Sequence, residues 1–139
     1  MTALAASDAA PVLVVEDDRD LREVLAESLQ LEGYEVVEAV DGLDALERLR
    51  AGVRPALVVL DLVMPRMDGR QFLVALRADH ALADLPVVLV TGTPPRDLAG
   101  QVQGLLKKPI GTAELLAAIA RCTGASASIA SGAPMTPRA

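Results

Sequence analysis

The sequence contains no tryptophan, one tyrosine (Tyr34) and one phenylalanine (Phe72) among its 139 residues. Without aromatic side chains there are no stacking platforms on which single-stranded nucleic acid is read, and any core must be built from Val, Leu, Ile and Ala. Basic charge is also scarce. Thirteen Lys and Arg face nineteen Asp and Glu, a formal net charge of −6, whereas a phosphate backbone is drawn to clustered Lys and Arg. No nucleic-acid partner is expected. The single cysteine, Cys122, can form neither an internal disulfide nor a zinc site by itself, which fits a reducing cytoplasm. No apolar run approaches the ~18 residues of a membrane span, and residues 1–10 lack a basic segment followed by sustained apolar sequence, so neither a membrane partner nor a signal peptide is expected. What is present is globular in composition, 52% hydrophobic and 23% charged. A chain of this length buries ~68–70% of its unfolded surface.

Three short apolar runs are rich in β-branched residues: Val12-Leu13-Val14-Val15, Ala56-Leu57-Val58-Val59-Leu60 and Val87-Val88-Leu89-Val90. They are continuous rather than alternating, as strands covered on both faces must be. Residues 34–40 alternate more and carry Glu35 and Glu38, which suits an edge strand, and Leu105-Leu106 is a short fifth candidate. Helical periodicity separates them. Leu21, Val24, Leu25 and Leu29 form one stripe after Asp18 or Asp20 as a cap, and Leu43, Leu46 and Leu49 follow Asp41. Phe72, Leu73 and Leu76 follow Asp68-Gly69, and Leu115, Leu116 and Ile119 follow Gly111-Thr112. Alternating strands and helices predict an open α/β parallel sheet covered on both faces. Residues 1–10 and 123–139 are rich in small and polar types and read as disordered tails around one domain spanning 11–122. Only 17 residues follow Cys122, too few for a folded output domain.

Ligands of open α/β sheets bind at the carboxyl ends of the strands. There the first strand ends in Glu16-Asp17-Asp18, the third in Asp61, the fourth in Thr91-Gly92 and the fifth in Lys107-Lys108-Pro109. Parallel strands bring these carboxylates, a hydroxyl and an ammonium to one edge. Crowded carboxylates become tolerable when a hard divalent cation such as Mg²⁺ shares them. A carboxylate can also act as a nucleophile toward a phosphoryl group whose charge is neutralised by a metal on one side and a lysine on the other. Lys107 and Lys108 are the only lysines in the chain.

The ordered set resembles the receiver domain of two-component response regulators. It comprises Val14-Val15-Glu16-Asp17-Asp18, Val59-Leu60-Asp61-Leu62-Val63-Met64-Pro65 through Met67-Asp68-Gly69, then Thr91, then Lys108-Pro109, and spans residues 11–122. The resemblance implies a flavodoxin-like, doubly wound five-stranded sheet of order 2-1-3-4-5. It further implies that Asp61 accepts a phosphoryl group from the phosphohistidine of a histidine kinase or histidine phosphotransferase, with a downstream effector protein as further partner. Asp17 and Asp61 would bind Mg²⁺ (or Mn²⁺) directly, Glu16 through a metal-bound water, and Val63 through its backbone carbonyl. Thr91 would hydrogen-bond the phosphoryl group and Lys108 would pair with it, the Lys108–Pro109 bond being cis in relatives. Such a domain is not an enzyme on another substrate; it catalyses only its own phosphorylation and dephosphorylation. The alternative is a pseudo-receiver, the same fold used as a phosphorylation-independent interaction module.

Other classes fit less well. A haloacid-dehalogenase-type phosphatase needs an acid/base Asp where Val63 stands. A flavodoxin needs Ser, Thr and Gly after the first strand, where this chain has three acids. No Gly-Lys-Ser/Thr phosphate loop exists. His80 reads as an exposed loop residue, Met64 and Met67 as packing, and Cys122 as a small residue near a helix end. Two departures from the receiver pattern concern output. Leu105 replaces the usual switching aromatic, and residues 92–104 hold Gly92, Pro94, Pro95, Gly100 and Gly104 with only Leu98 and Val102 as large apolar anchors. At most one helical turn, starting no earlier than Pro95, is expected there. This resembles a receiver subgroup with Thr-Gly after the fourth strand and a short or missing fourth helix.

Overall fold

The computed structural model describes residues 10–123 apart from Pro94. Of the expected tails, residues 1–9 and 124–139 lie outside the described residues. Five strands, β1 (Val12–Val15), β2 (Val36–Ala39), β3 (Leu57–Asp61), β4 (Val87–Thr91) and β5 (Gly104–Lys107), form one sheet of order β2-β1-β3-β4-β5. Every pairing is parallel, with Val12 opposite Val36 and Leu57, Asp61 opposite Val90, and Thr91 opposite Lys107. The helices are α1 (Arg19–Leu31), α2 (Gly42–Arg50), α3 (Gly69–Ala78) and α4 (Thr112–Thr123), with a 3₁₀ helix over Arg96–Gln101 in the β4–β5 crossover. This is the flavodoxin-like arrangement expected.

The continuous apolar runs of β1, β3 and β4 are accounted for by cover on both faces. Leu13, Val15, Val58, Leu60, Val87 and Leu89 face a core completed by α2 and α3 through Leu46, Leu49, Phe72, Leu73 and Leu76. Their neighbours Val12, Val14, Leu57, Val59, Val88 and Val90 face Leu25 and Leu29 of α1 and Leu115, Ala118 and Ile119 of α4. Each such side chain, taken fully out of water, contributes about 1.5–3 kcal/mol. β2 lies at the sheet edge, where its Val36, Val37 and Glu38 are only half-buried.

Helix starts are set by side-chain caps. Asp18 accepts from the Leu21 N–H, Asp41 from the Asp44 N–H, and Asp68 forms a reciprocal capping box with Gln71. α1 and α2 give way to Gly33 (φ 94) and Gly52 (φ 112), in the left-handed region that glycine enters without strain. α4 reaches Thr123, whose hydroxyl donates to the Ile119 carbonyl, one residue past the expected domain end.

Two expectations are corrected. Val24, placed on the apolar stripe of α1, is 55% exposed. The buried stripe runs instead through Leu25, Ala26 and Leu29, and Val24 falls to its side, along an open groove beside Pro109 and Ile110. The crossover is short, as expected, but its 3₁₀ helix has six residues rather than a single turn. It begins at Arg96, after Pro95 as cap. One anchor suffices because Leu98 is buried in the core, with Val102 packed against the same cluster. Arg77 also donates to the Gln101 carbonyl, and Arg70 pairs with Asp97. Among the described residues, no helix is long and apolar enough to cross a membrane.

Candidate functional site

The chain runs from β1 to β2 on one side and then returns to β3 on the other, so strand order reverses between β1 and β3. A crevice at the carboxyl ends of these strands follows from that geometry. Glu16 follows β1 directly, Asp61 is the last residue of β3, and Thr91 is the last residue of β4. Lys108 follows β5. Glu16, Asp61 and Thr91 are all buried; Asp17 is exposed at the rim.

The model brings the predicted groups together. Carboxylate oxygens of Glu16, Asp17 and Asp61 lie within 4.8 Å of one another. The Lys108 Nζ sits 3.2 Å from Glu16 Oε1 and 3.4 Å from Asp61 Oδ1, and the Lys108–Pro109 bond is cis. The Lys108 backbone N–H donates to the Thr91 carbonyl at 2.9 Å, locking the β4 and β5 ends to each other. Glu16 is further fixed by the Asp18 N–H on Oε2 (3.1 Å) and by Arg22, which donates to its carbonyl (2.9 Å).

The electrostatics follow from burial and crowding. Burial, with the Asp61 charge adding to it, raises the Glu16 carboxyl to about 7, although the Asp18 N–H and Lys108 both oppose the shift. Burial alone would lower the Lys108 ammonium, but the Glu16 and Asp61 carboxylates more than reverse this and raise it. Burial contributes most to the Glu16 shift and the Asp61 charge adds to it, so three carboxylates face one lysine in a partly desolvated pocket. Three converging oxygen donors around such a charge deficit suit a hard divalent cation, which takes oxygen ligands.

The loop between β3 and α3 borders this pocket. Gly69 is required where it stands, because a Cβ there would lie 2.5 Å from the Asp61 carbonyl oxygen, and its N–H donates to the Leu62 carbonyl at 2.8 Å. Met64 is buried in the core and Met67 packs against it, while the Val63 side chain is exposed. His80 is exposed in the turn after α3, away from the cluster. The sequence reading missed Arg66, which forms an ion pair with the buried Asp41 at 2.6 Å. Nothing in the local pattern joins two residues 25 positions apart, though an arginine between Pro65 and Met67 in a tight loop is a signal worth weighing.

Comparison with known proteins gives a consistent result. The family model of the response regulator receiver domain matches residues 12–120. Response regulator MprA of Mycobacterium sp. (strain KMS) is 44% identical over 114 residues, 76% of this chain and 47% of that protein. The DNA-binding dual master transcriptional regulator RpaA of Synechocystis sp. is 31% identical over 115 residues, 78% of this chain and 46% of that protein. The chain thus spans about half the length of these curated relatives. Among solved structures, the chemotaxis response regulator CheY4 of Vibrio cholerae matches with a TM-score of 0.74 at 29% identity, over 82% of this chain and 98% of that one. A sensor protein from Polaromonas sp. JS666 matches at 0.76 with 27% identity, over 84% and 97%. With its family match covering most of the chain and its acidic cluster at the strand-order reversal, this chain belongs to the response regulator receiver domain family of two-component signalling.

Proposed function

We propose that Asp61 is the phosphoacceptor, taking a phosphoryl group from the phosphohistidine of a histidine kinase or histidine phosphotransferase in a Mg²⁺-dependent reaction. The observation that carries this reading is the placement of Asp61 within reach of both Lys108 and two further carboxylates. In the step, an Asp61 carboxylate oxygen attacks phosphorus in line. The new O–P bond forms as the N–P bond to the donor imidazole breaks and its electron pair returns to the ring. Lys108 pairs with the incoming phosphoryl oxygens, and Thr91, one residue beyond the Asp61–Val90 register pair on the neighbouring strand, hydrogen-bonds them. Glu16, Asp17, Asp61 and the Val63 carbonyl would hold the metal. Mg²⁺ (or Mn²⁺) bound there supplies neutralising charge to the phosphoryl oxygens. The domain acts catalytically only on itself, in the cytoplasm, and passes its state to an effector protein by contact rather than by binding nucleic acid itself.

Incubation with acetyl phosphate and Mg²⁺, read by intact mass, tests this. The wild type is expected to gain one phosphoryl group, and Asp61→Asn to gain none while keeping its far-UV circular dichroism spectrum. A gain that persists in Asp61→Asn overturns the assignment. No gain in the wild type favours a phosphorylation-independent interaction module.

A further inference from the structure

Arg66 is the one non-glycine residue with positive φ among the described residues, at 62°. The left-handed region is uncommon for a residue with a long side chain, and the surrounding structure must hold it there. The turn centred on it is closed by the Met67 N–H, which donates to the Pro65 carbonyl at 2.6 Å, and its guanidinium adds a two-pronged contact, with Nε 2.6 Å from Asp41 Oδ2 and a terminal nitrogen 3.2 Å from Oδ1. Asp41 is a fixed partner. It is buried, and its Oδ1 also accepts from the Asp44 N–H at 2.9 Å as the cap of α2. A second tether runs alongside. The Gly42 N–H donates to the Met67 carbonyl at 2.9 Å, an approach that only glycine permits, since a Cβ would lie 2.7 Å from that same oxygen.

Both tethers hold the β3–α3 loop against the start of α2, beside the core contacts of Met64 and Met67. The Arg66 side chain is 56% exposed, so burying it is not what the contact achieves. What the loop carries is Val63. Val63 is 74% exposed, so burial of its own side chain does not fix its backbone. Met64 seats the near end of that turn in the core, and the Arg66–Asp41 pair lies between it and the Asp68 cap.

We propose that Arg66, through Asp41, is a positioning residue that presets the β3–α3 loop for divalent-cation binding at the Glu16–Asp17–Asp61 cluster. The inference rests on the receiver reading above, because it gives the Val63 carbonyl a ligand role.

The test is Mn²⁺ titration of the full chain, read as the electron paramagnetic resonance signal of the free ion, together with amide exchange across residues 62–68. Arg66→Gly relieves the left-handed backbone but removes the pair. Asp41→Asn keeps the α2 cap, because Asn caps as well as Asp, and removes the charge. Each is expected to weaken Mn²⁺ binding by about threefold or more, the scale of a partly exposed ion pair, and to speed exchange in the loop. The double variant should bind no more weakly than the weaker single, since both changes delete one interaction. Mn²⁺ affinity within twofold of wild type in both single variants overturns the proposal, including the case where the melting temperature falls, which is what a merely structural pair would do. Failure of the wild type to bind Mn²⁺ and to take phosphate from acetyl phosphate would instead remove the receiver reading, and this inference with it.

Discussion

Removing Asp17 should make the metal-free protein more stable, although it deletes a charged group at the functional site. In Asp17→Ala the deleted carboxylate leaves a cluster whose oxygens lie within 4.8 Å of one another. Two unit charges at that separation repel by ~0.9 kcal/mol in water-like surroundings and by ~3.5 kcal/mol at an effective dielectric of about 20. Asp17 is exposed, so the lower figure governs. With repulsion from both Glu16 and Asp61 removed, the gain is ~1–2 kcal/mol, a rise in Tm of roughly 3–10 °C for a domain of this size. With no Trp and one Tyr in the chain, unfolding is best followed by far-UV circular dichroism, in EDTA. The pH dependence supplies an internal control. Glu16 titrates at about 7 in the folded chain against 4.5 ordinarily, so between these values the folded state binds more protons than the unfolded one. Stability of the metal-free wild type therefore falls as pH rises through that window, and the penalty is complete above it. The Asp17→Ala gain should accordingly be larger at about pH 8 than at about pH 5. Mg²⁺ should reverse the ranking, since ~100-fold excess over Kd stabilises a binding-competent protein by ~2.7 kcal/mol. Asp17→Ala melting at or below the wild type in EDTA at about pH 8 would refute the crowded-carboxylate account.

Two further outcomes are expected. Val63→Asn places a donor and an acceptor on an exposed side chain two residues beyond Asp61, the proposed phosphoacceptor. One added hydrogen bond to the attacking water, ~0.5–1.5 kcal/mol, should speed dephosphorylation roughly two- to tenfold in a radiolabel chase. An unchanged or slower rate would show that the water's positioning does not depend on the side chain at this position. Leu98→Ala should cost ~2–3 kcal/mol, as for other buried leucines, and quicken amide exchange over residues 96–101. A loss below ~1 kcal/mol would mean that Leu98 does not anchor the crossover.

Legibility of the sequence followed the range of the physics involved. Strands β1, β3 and β4 were readable because burial on both faces forces an unbroken apolar run, and the helix starts because Asp18, Asp41 and Asp68 each act within three residues of themselves. The site was readable once the strands were taken as parallel, since each of its groups directly follows or ends a strand. The strand order came with the family resemblance and not from any local pattern. What escaped depends on contacts between elements. Val24 satisfies a helical period yet lies off the stripe that meets the sheet. The crossover holds more 3₁₀ helix than its glycines and prolines suggest, because Leu98 reaches a core that the segment's own composition does not reveal. Arg66 was invisible for the same reason: its conformation is set by Asp41 on another element.

The charge balance of the site sets protons against the divalent cation that the proposed reading places there. Glu16, Asp17 and Asp61 in ionised form carry three negative charges, and Lys108 returns one. The remaining deficit of two is the charge of one alkaline-earth ion. Without such an ion, burial first and the neighbouring Asp61 charge second keep a proton on Glu16 up to about pH 7. On the proposed reading, that proton would have to leave before Glu16 acts as an anionic partner, so cation binding would release a proton and strengthen as pH rises through neutrality. Lys108 is constrained by the same balance. Its ammonium is raised by the carboxylates it faces, and remains charged throughout the range in which Glu16 titrates. On the proposed reading, the Lys108 ammonium and a divalent cation held by the carboxylates would leave Asp61 between two positive charges, the arrangement that an incoming phosphoryl group requires.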